Sequence, residues 1–148
     1  MFIFDKIDFE LIKQYTWNVD SKGYAMTGIK RKKIALHRLI LNIKNKNITV
    51  DHINRDRWDN RRENLRICTL QQNLWNKGKR SDKEFTSKYI GVSWHKNSEK
   101  WRANIRDDKG IGRQLGSFND QISAAKTYDE ACLKYHGEYA ILNFPNEN

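Results

Sequence analysis

The pattern of apolar and polar positions divides the chain into two stretches of different character. In the later one, apolar and polar residues alternate over residues 89–95, 100–107 and 113–118, which predicts three strands separated by polar turns. Along the middle strand Trp101, Ala103 and Ile105 fall on one face and Arg102, Asn104 and Arg106 on the other, the pattern of a sheet that packs on one side only. A helix is predicted from about 120 to 135, with Asp120 as N-cap and Gly137 as stop. Its apolar stripe of small and aromatic residues is Ala124, Ala125, Tyr128, Ala131, Cys132 and Tyr135. His136, beside the stop, reads as a cation favourably placed at a helix C-terminus.

The earlier stretch is less regular. Asp8 is placed to cap a short helix over 9–15, and two β-prone runs at 17–19 and 24–27 are joined by the turn Ser21-Lys22-Gly23. After a basic turn at 30–33, residues 34–41 read as a strand passing into a short helix. Then come a strand over 48–53, a polar loop over 54–64, a strand over 65–69 and a helix over 70–75. The polar run 76–83 lacks large apolar side chains, which sets a linker at about 77–87 and domains at 1–80 and 81–148. The fold class expected is α+β: a helix and hairpin, a strand-loop-strand-helix core, then a three-stranded antiparallel sheet packed on one helix.

Composition narrows the function. With 148 residues, 38% hydrophobic and 31% charged, the chain has a packed interior and suits two small domains better than one large enzyme domain. Cys68 and Cys132 stand 64 positions apart without a CxxC partner, which argues against structural zinc and favours both as small buried residues over a single disulfide. Apolar runs such as Leu39-Ile40-Leu41 are far too short to span a membrane, and the start of the chain lacks the apolar core of a signal peptide. A cytoplasmic protein of a bacterial or phage-infected cell is expected, with a monomer favoured. The net charge of +10 points to a polyanion, nucleic acid first. Residues 1–80 hold 18 Lys plus Arg against 8 Asp plus Glu, or +10, while 81–148 hold 10 of each.

The sharpest chemical feature is Asp51-His52, a carboxylate able to hold a divalent cation beside a side chain suited to base catalysis near neutrality. Such a pair arises often by chance, so its context decides. Leu36-His37-Arg38-Leu39-Ile40, Val50-Asp51-His52-Ile53-Asn54, Asp59-Asn60-Arg61-Arg62-Glu63-Asn64-Leu65-Arg66 and Gln72-Asn73 occur in order, with Asn64 13 and Asn73 22 positions after Asp51. This arrangement closely resembles the HNH endonucleases of the homing type, with asparagine in place of the third-position histidine. The resemblance implies a ββα-metal core in which Asp51 and Asn73 hold one divalent metal, His52 is the general base and Asn64 pins the loop that orients His52. His37 resembles a family histidine of less settled role. Oxygen ligands suit Mg²⁺, or Mn²⁺, better than zinc.

The open face of the later sheet, with Arg102, Asn104 and Arg106 and with Ser93, His95, Lys96 and Gln114 beside them, is either a solvated surface or a DNA reader. Tyr89-Ile90-Gly91-Val92-Ser93-Trp94-His95, Lys100-Trp101-Arg102-Ala103-Asn104-Ile105-Arg106, Leu115-Gly116-Ser117-Phe118, Ala124-Ala125-Lys126-Thr127-Tyr128-Asp129 and Leu142-Asn143-Phe144-Pro145 resemble the APETALA/ethylene-response-factor (ERF) DNA-binding domain. Of that family's base-reading arginines this chain keeps only Arg106, so the target sequence does not transfer. Trp17, Trp75, Trp94 and Trp101 read as packing residues, and Trp58 is given no role. Phosphate contacts are expected among Lys30 to Lys33, Arg55, Arg57, Arg61 and Arg62. The function expected is metal-dependent cleavage of duplex DNA, with the later domain giving site preference; the alternative is a DNA-binding transcriptional regulator with an inactive HNH remnant. The charge division predicts that removing residues 81–148 weakens site preference more than salt-dependent affinity, as measured by binding to specific and random duplexes across a salt series.

Overall fold

The computed structural model describes residues 1–78 and 84–146. They divide into two compact units, Met1–Asn73 and Leu74–Asn148. The linker expected over about 77–87 lies in part on residues 79–83, outside the described residues.

The first unit opens with a 3-10 turn, Lys6–Asp8, that runs into α1 (Phe9–Ile12). Asp8 does not cap this helix with its side chain, as the sequence suggested; 3% exposed, it takes the Arg62 guanidinium at 2.6 Å instead. A buried carboxylate gains more from a charge-assisted pair than from one backbone N–H. Strands β1 (Asn18–Val19), β2 (Ala25–Ile29) and β3 (Lys32–Ala35) pair antiparallel in that order. The expected hairpin therefore gains a third strand, because Lys32 and Lys33 pair with Ile29 and Gly28 and only Lys30 and Arg31 form the turn. Both turn residues have positive φ, 48° and 63°, the backbone shape that lets a two-residue turn match the twist of its strands. Helix α2 (Leu36–Ile40) follows directly.

Next, β4 (Thr49–His52) pairs antiparallel with β5 (Leu65–Cys68), and α3 (Leu70–Trp75) begins two residues later. The core consists of Ile12, Ala25, Leu36, Ile40 and Leu65, with Phe2, Phe4, Trp17, Leu41 and Val50 packed against it. α1, β2, α2 and β5 thus each contribute to one interior, at about 1.5–3 kcal/mol per large buried side chain. The helix and small sheet are part of the core that positions β4 and β5.

In the second unit β6 (Val92–His95), β7 (Lys100–Arg106) and β8 (Gly112–Phe118) form an antiparallel sheet in sequence order. Helix α4 (Gln121–His136) is capped by Asp120, whose Oδ1 accepts from the Ser123 N–H at 2.8 Å. Ala103, Ala124 and Ala125 are fully buried, so small side chains bring helix and sheet close together. A bulge at Leu115 moves the register so that Ala103 pairs with Gly116 but Asn104 with Gln114. Both cysteines are free and buried. No helix among the described residues is long and apolar enough to cross a membrane.

Two polar residues on α4 are turned inward, and one of them, His136, differs from the sequence expectation. His136 is not an exposed cation: burial pushes its pKa down, its Nε2–H donates to the Arg106 carbonyl at 2.7 Å, and Nδ1 lies 3.4 Å from Cys132 Sγ. Asp129, 3% exposed, accepts backbone N–H bonds from Asn143 and Phe144, while the Asn143 amide bonds both backbone groups of Ile90. These bonds hold the C-terminal segment against the approach to β6. Gly91, in that approach, has φ +73°, and a Cβ there would stand 2.0 Å from the Tyr128 ring and 2.8 Å from the Asn104 carbonyl oxygen. Gly91→Ala should therefore cost about 2–4 kcal/mol in urea unfolding of the second unit, through overpacking and left-handed backbone strain together.

Candidate active site

β4 ends where the chemistry begins. Asp51 and His52 are its last two residues, paired with Arg66 and Leu65 across the ladder, and the chain turns immediately, with Arg55 N–H donating to the His52 carbonyl at 2.9 Å. Strand alternation puts the two side chains on opposite faces, so both can serve one substrate only because the strand stops there.

On one face lies Asp51, 5% exposed, whose Oδ2 accepts from Arg66 Nε at 3.0 Å and Nη2 at 2.8 Å. Cys68, paired with Thr49 across the ladder, is on the same face. Its thiol is pushed up to about 11, first by burial and then by the Asp51 charge, against the pull of Arg66 and of the Asn73 backbone N–H. Asn73 itself is half-buried on α3. A carboxylate and an amide oxygen suit a hard divalent cation, although Asp51 would have to share its charge with the Arg66 guanidinium. Among the described residues no group of three or more His, Cys, Asp or Glu comes together to hold a metal.

On the other face lies His52, also 5% exposed. Its ring stands 5.2 Å from that of His37 and 6.1 Å from that of Tyr24, centroid to centroid, and His37 and Tyr24 are 5.4 Å apart. Burial lowers the His52 pKa, opposed by the hydrogen bond with Asn60 and the charge of Asp51, so the ring is held in its neutral, basic form. His37 is lowered further, to about 3, by burial first and then by the neighbouring His52. It is thus a neutral side chain packed against His52. Arg57 lies over the Tyr24 ring at 4.9 Å and hydrogen-bonds the Lys22 carbonyl.

The loop from Ile53 to Asn64 is held by its own polar side chains. Asn64 Oδ1 accepts from the Asn54 N–H at 2.9 Å, and Asn64 Nδ2 donates to Asn54 Oδ1 at 2.9 Å and to the Asp59 carbonyl at 2.7 Å. Asp59 takes Arg61 through both oxygens, at 2.9 and 2.7 Å, which lowers its carboxyl pKa to about 2. Arg62 bonds both Asp8 oxygens and the Ile40 carbonyl. Arg61 and Arg62, expected on the DNA side, are therefore already neutralised by carboxylates of the fold, although about half of each side chain stays exposed.

Sequence reasoning passed over Asn60, Tyr24 and Arg66. Asn60 and Arg66 lie within the quoted motif yet carried no role, and their partners come from the tertiary fold. Trp58 stands 5.0 Å from the Phe2 ring.

In the second unit the register lines up Ser93, Arg102 and Ser117, with Asn104 beside Gln114. Ser93, Lys96, Asn104, Arg106 and Gln114 are exposed. His95 Nδ1 lies 2.9 Å from Ser98 Oγ, and Arg106 Nη1 donates to the Gly110 carbonyl of its own hairpin at 3.0 Å. Arg102 is half-buried, and its Nε is buried without a hydrogen-bond partner.

Residues 35–74 match the family model described as HNH endonuclease. An uncharacterized HNH endonuclease, L560, of Acanthamoeba polyphaga mimivirus is 29% identical over 96% of this chain and 74% of its own length. The ethylene-responsive transcription factor ERF024 of Arabidopsis thaliana is 46% identical over 59 residues, which are 39% of this chain and 32% of the plant protein. The chain thus spans less than half the length of that factor. A solved structure of the HNH homing endonuclease I-HmuI, on its DNA binding and cleavage, aligns with TM-score 0.39 and 20% identity over 84% of this chain and 78% of that one. Over residues 35–74, then, the chain is similar to the HNH endonuclease family.

Proposed function

We propose that the protein is a metal-dependent endonuclease that hydrolyses phosphodiester bonds of duplex DNA, with the second unit giving site preference. The observation that carries this is the end of β4. There a neutral, buried His52 and the carboxylate of Asp51 stand on either side of a strand terminus inside the matched segment.

Asp51 and Asn73 would hold the cation, Mg²⁺ or Mn²⁺. When bound, such an ion supplies charge neutralisation at the transferring phosphoryl group and its leaving oxygen. His52 accepts the proton of the attacking water, a contribution of about 10²–10⁴ in rate. His37 and Tyr24 wall the ring on one side and keep it poorly solvated, and Asn64 keeps the following loop closed. Arg55 and Arg57, both exposed within this loop, would meet the phosphate backbone. On the second unit Ser93, His95, Lys96, Arg102, Asn104 and Gln114 form the surface proposed to meet base edges.

A second reading, a DNA-binding regulator with an inactive nuclease remnant, is favoured by the Arg66 pair on Asp51 and by the likeness to plant transcription factors. Plasmid cleavage separates the two. In Mg²⁺ or Mn²⁺ the parent should nick supercoiled DNA, and EDTA should abolish nicking. His52→Ala and Asp51→Ala should each lower the rate by about 10² or more while duplex binding persists. Equal cutting by the variants overturns the site, and binding without metal-dependent cutting by the parent favours the regulator.

A further inference from the structure

We infer that Asn60 is the positioning residue of His52, fixing the imidazole in the Nε2–H tautomer so that the lone pair acting as base sits on Nδ1. This rests on the reading of His52 as general base.

Asn60 is 1% exposed, among the most buried polar side chains of the fold, and a buried amide is retained only where its groups are paired. Its Nδ2 donates to the Arg57 carbonyl at 3.2 Å. A carbonyl only accepts, so this bond sets the amide orientation and turns Oδ1 toward His52 Nε2 at 3.3 Å. An amide oxygen also only accepts, so the proton of that contact belongs to Nε2. In a neutral ring the other nitrogen, Nδ1, then carries the lone pair.

The backbone of Asn60 is fixed as well. Its N–H donates to the Ile3 carbonyl at 2.7 Å, while the Ile3 N–H donates to the Trp58 carbonyl at 2.8 Å, forming a parallel bridge between Ile3 and Asp59 that Asn60 flanks. The N-terminal segment thus sets where the amide stands, and the amide sets the ring. Asn64 has a different part: its amide bonds go to Asn54 and Asp59 and shape the loop that carries Asn60. Asn60 touches the base, whereas Asn64 touches the loop.

The test is ¹⁵N-edited NMR of the His52 ring in full-length protein, in mildly alkaline buffer without DNA or metal, beside steady-state nicking. The parent should show the Nε2–H tautomer. Asn60→Ala should give a tautomer mixture and a kcat lower by about 10–100-fold, with KM for duplex unchanged. Asn60→Asp keeps an acceptor opposite Nε2, so it should keep the tautomer and recover much of kcat. A parent in the Nδ1–H form, or an alanine variant with unchanged tautomer and kcat, overturns the inference. If the alanine variant does not fold, Asn60→Asp decides: loss of the Nε2–H tautomer there overturns it and retention supports it. A parent that holds the tautomer through Asn60 yet cuts no DNA would sink the nuclease reading and leave the positioning intact.

Discussion

The first unit depends on satisfying a polar loop that folds into its own interior. Asp59, Asn60 and Asn64 are 3%, 1% and 6% exposed, and each polar group left unmet in such a place costs about 1–3 kcal/mol. The loop cannot satisfy itself alone. Ile3, Asp5 and Asp8, more than fifty residues earlier, accept from Asn60, Arg62 and Arg62 again, and their segment packs Phe2 and Phe4 into the shared core. The N-terminal segment is therefore part of what holds His52, and a polar loop is tied into the fold by hydrogen bonds from both ends.

This arrangement changes the meaning of the charge. A net charge of +10 suggests a surface of available cations, yet Arg61, Arg62 and Arg66 are paired with Asp59, Asp8 and Asp51. Their first task is to compensate carboxylates that the fold has buried. Cations left exposed on the first unit, such as Lys30 to Lys33 at the β2–β3 turn, suit sequence-independent contact with phosphate. Removing Arg66 would take a close cation from a buried carboxylate, so its value to the fold and its competition with a cation at Asp51 come from the same contact.

The second unit separates two jobs on the two faces of a sheet. Alanines at 103, 124 and 125 close one face on α4, and the bulge at Leu115 keeps Gln114 beside Asn104 on the other. His136, Asp129 and Asp107 are polar residues turned inward. Asp107, fully buried, ties the β7–β8 turn by accepting the N–H groups of Lys109 and Ile111 and the guanidinium of Arg113. Stiffening the hairpin in this way also stiffens the surface that Arg106 and Asn104 present.

The sequence by itself determined the elements whose signals are local. The strict alternation over β7, the Asp120 cap, the helix over α3 and the strand-loop-strand order around Asp51-His52 all follow from neighbours a few residues apart. Asp51, His52, Asn64 and Asn73 could be singled out because their spacing matches a known arrangement. Only the tertiary structure decided the partners of polar side chains, because a hydrogen bond or ion pair across fifty residues leaves no periodicity to read. Asp8 looked like a cap and became the counter-ion of Arg62; His136 looked like a surface cation and became a neutral buried ring; Asn60 looked like one more loop asparagine and stands against His52. Burial made the difference in each case, since it is burial that forces a polar group to find one particular partner.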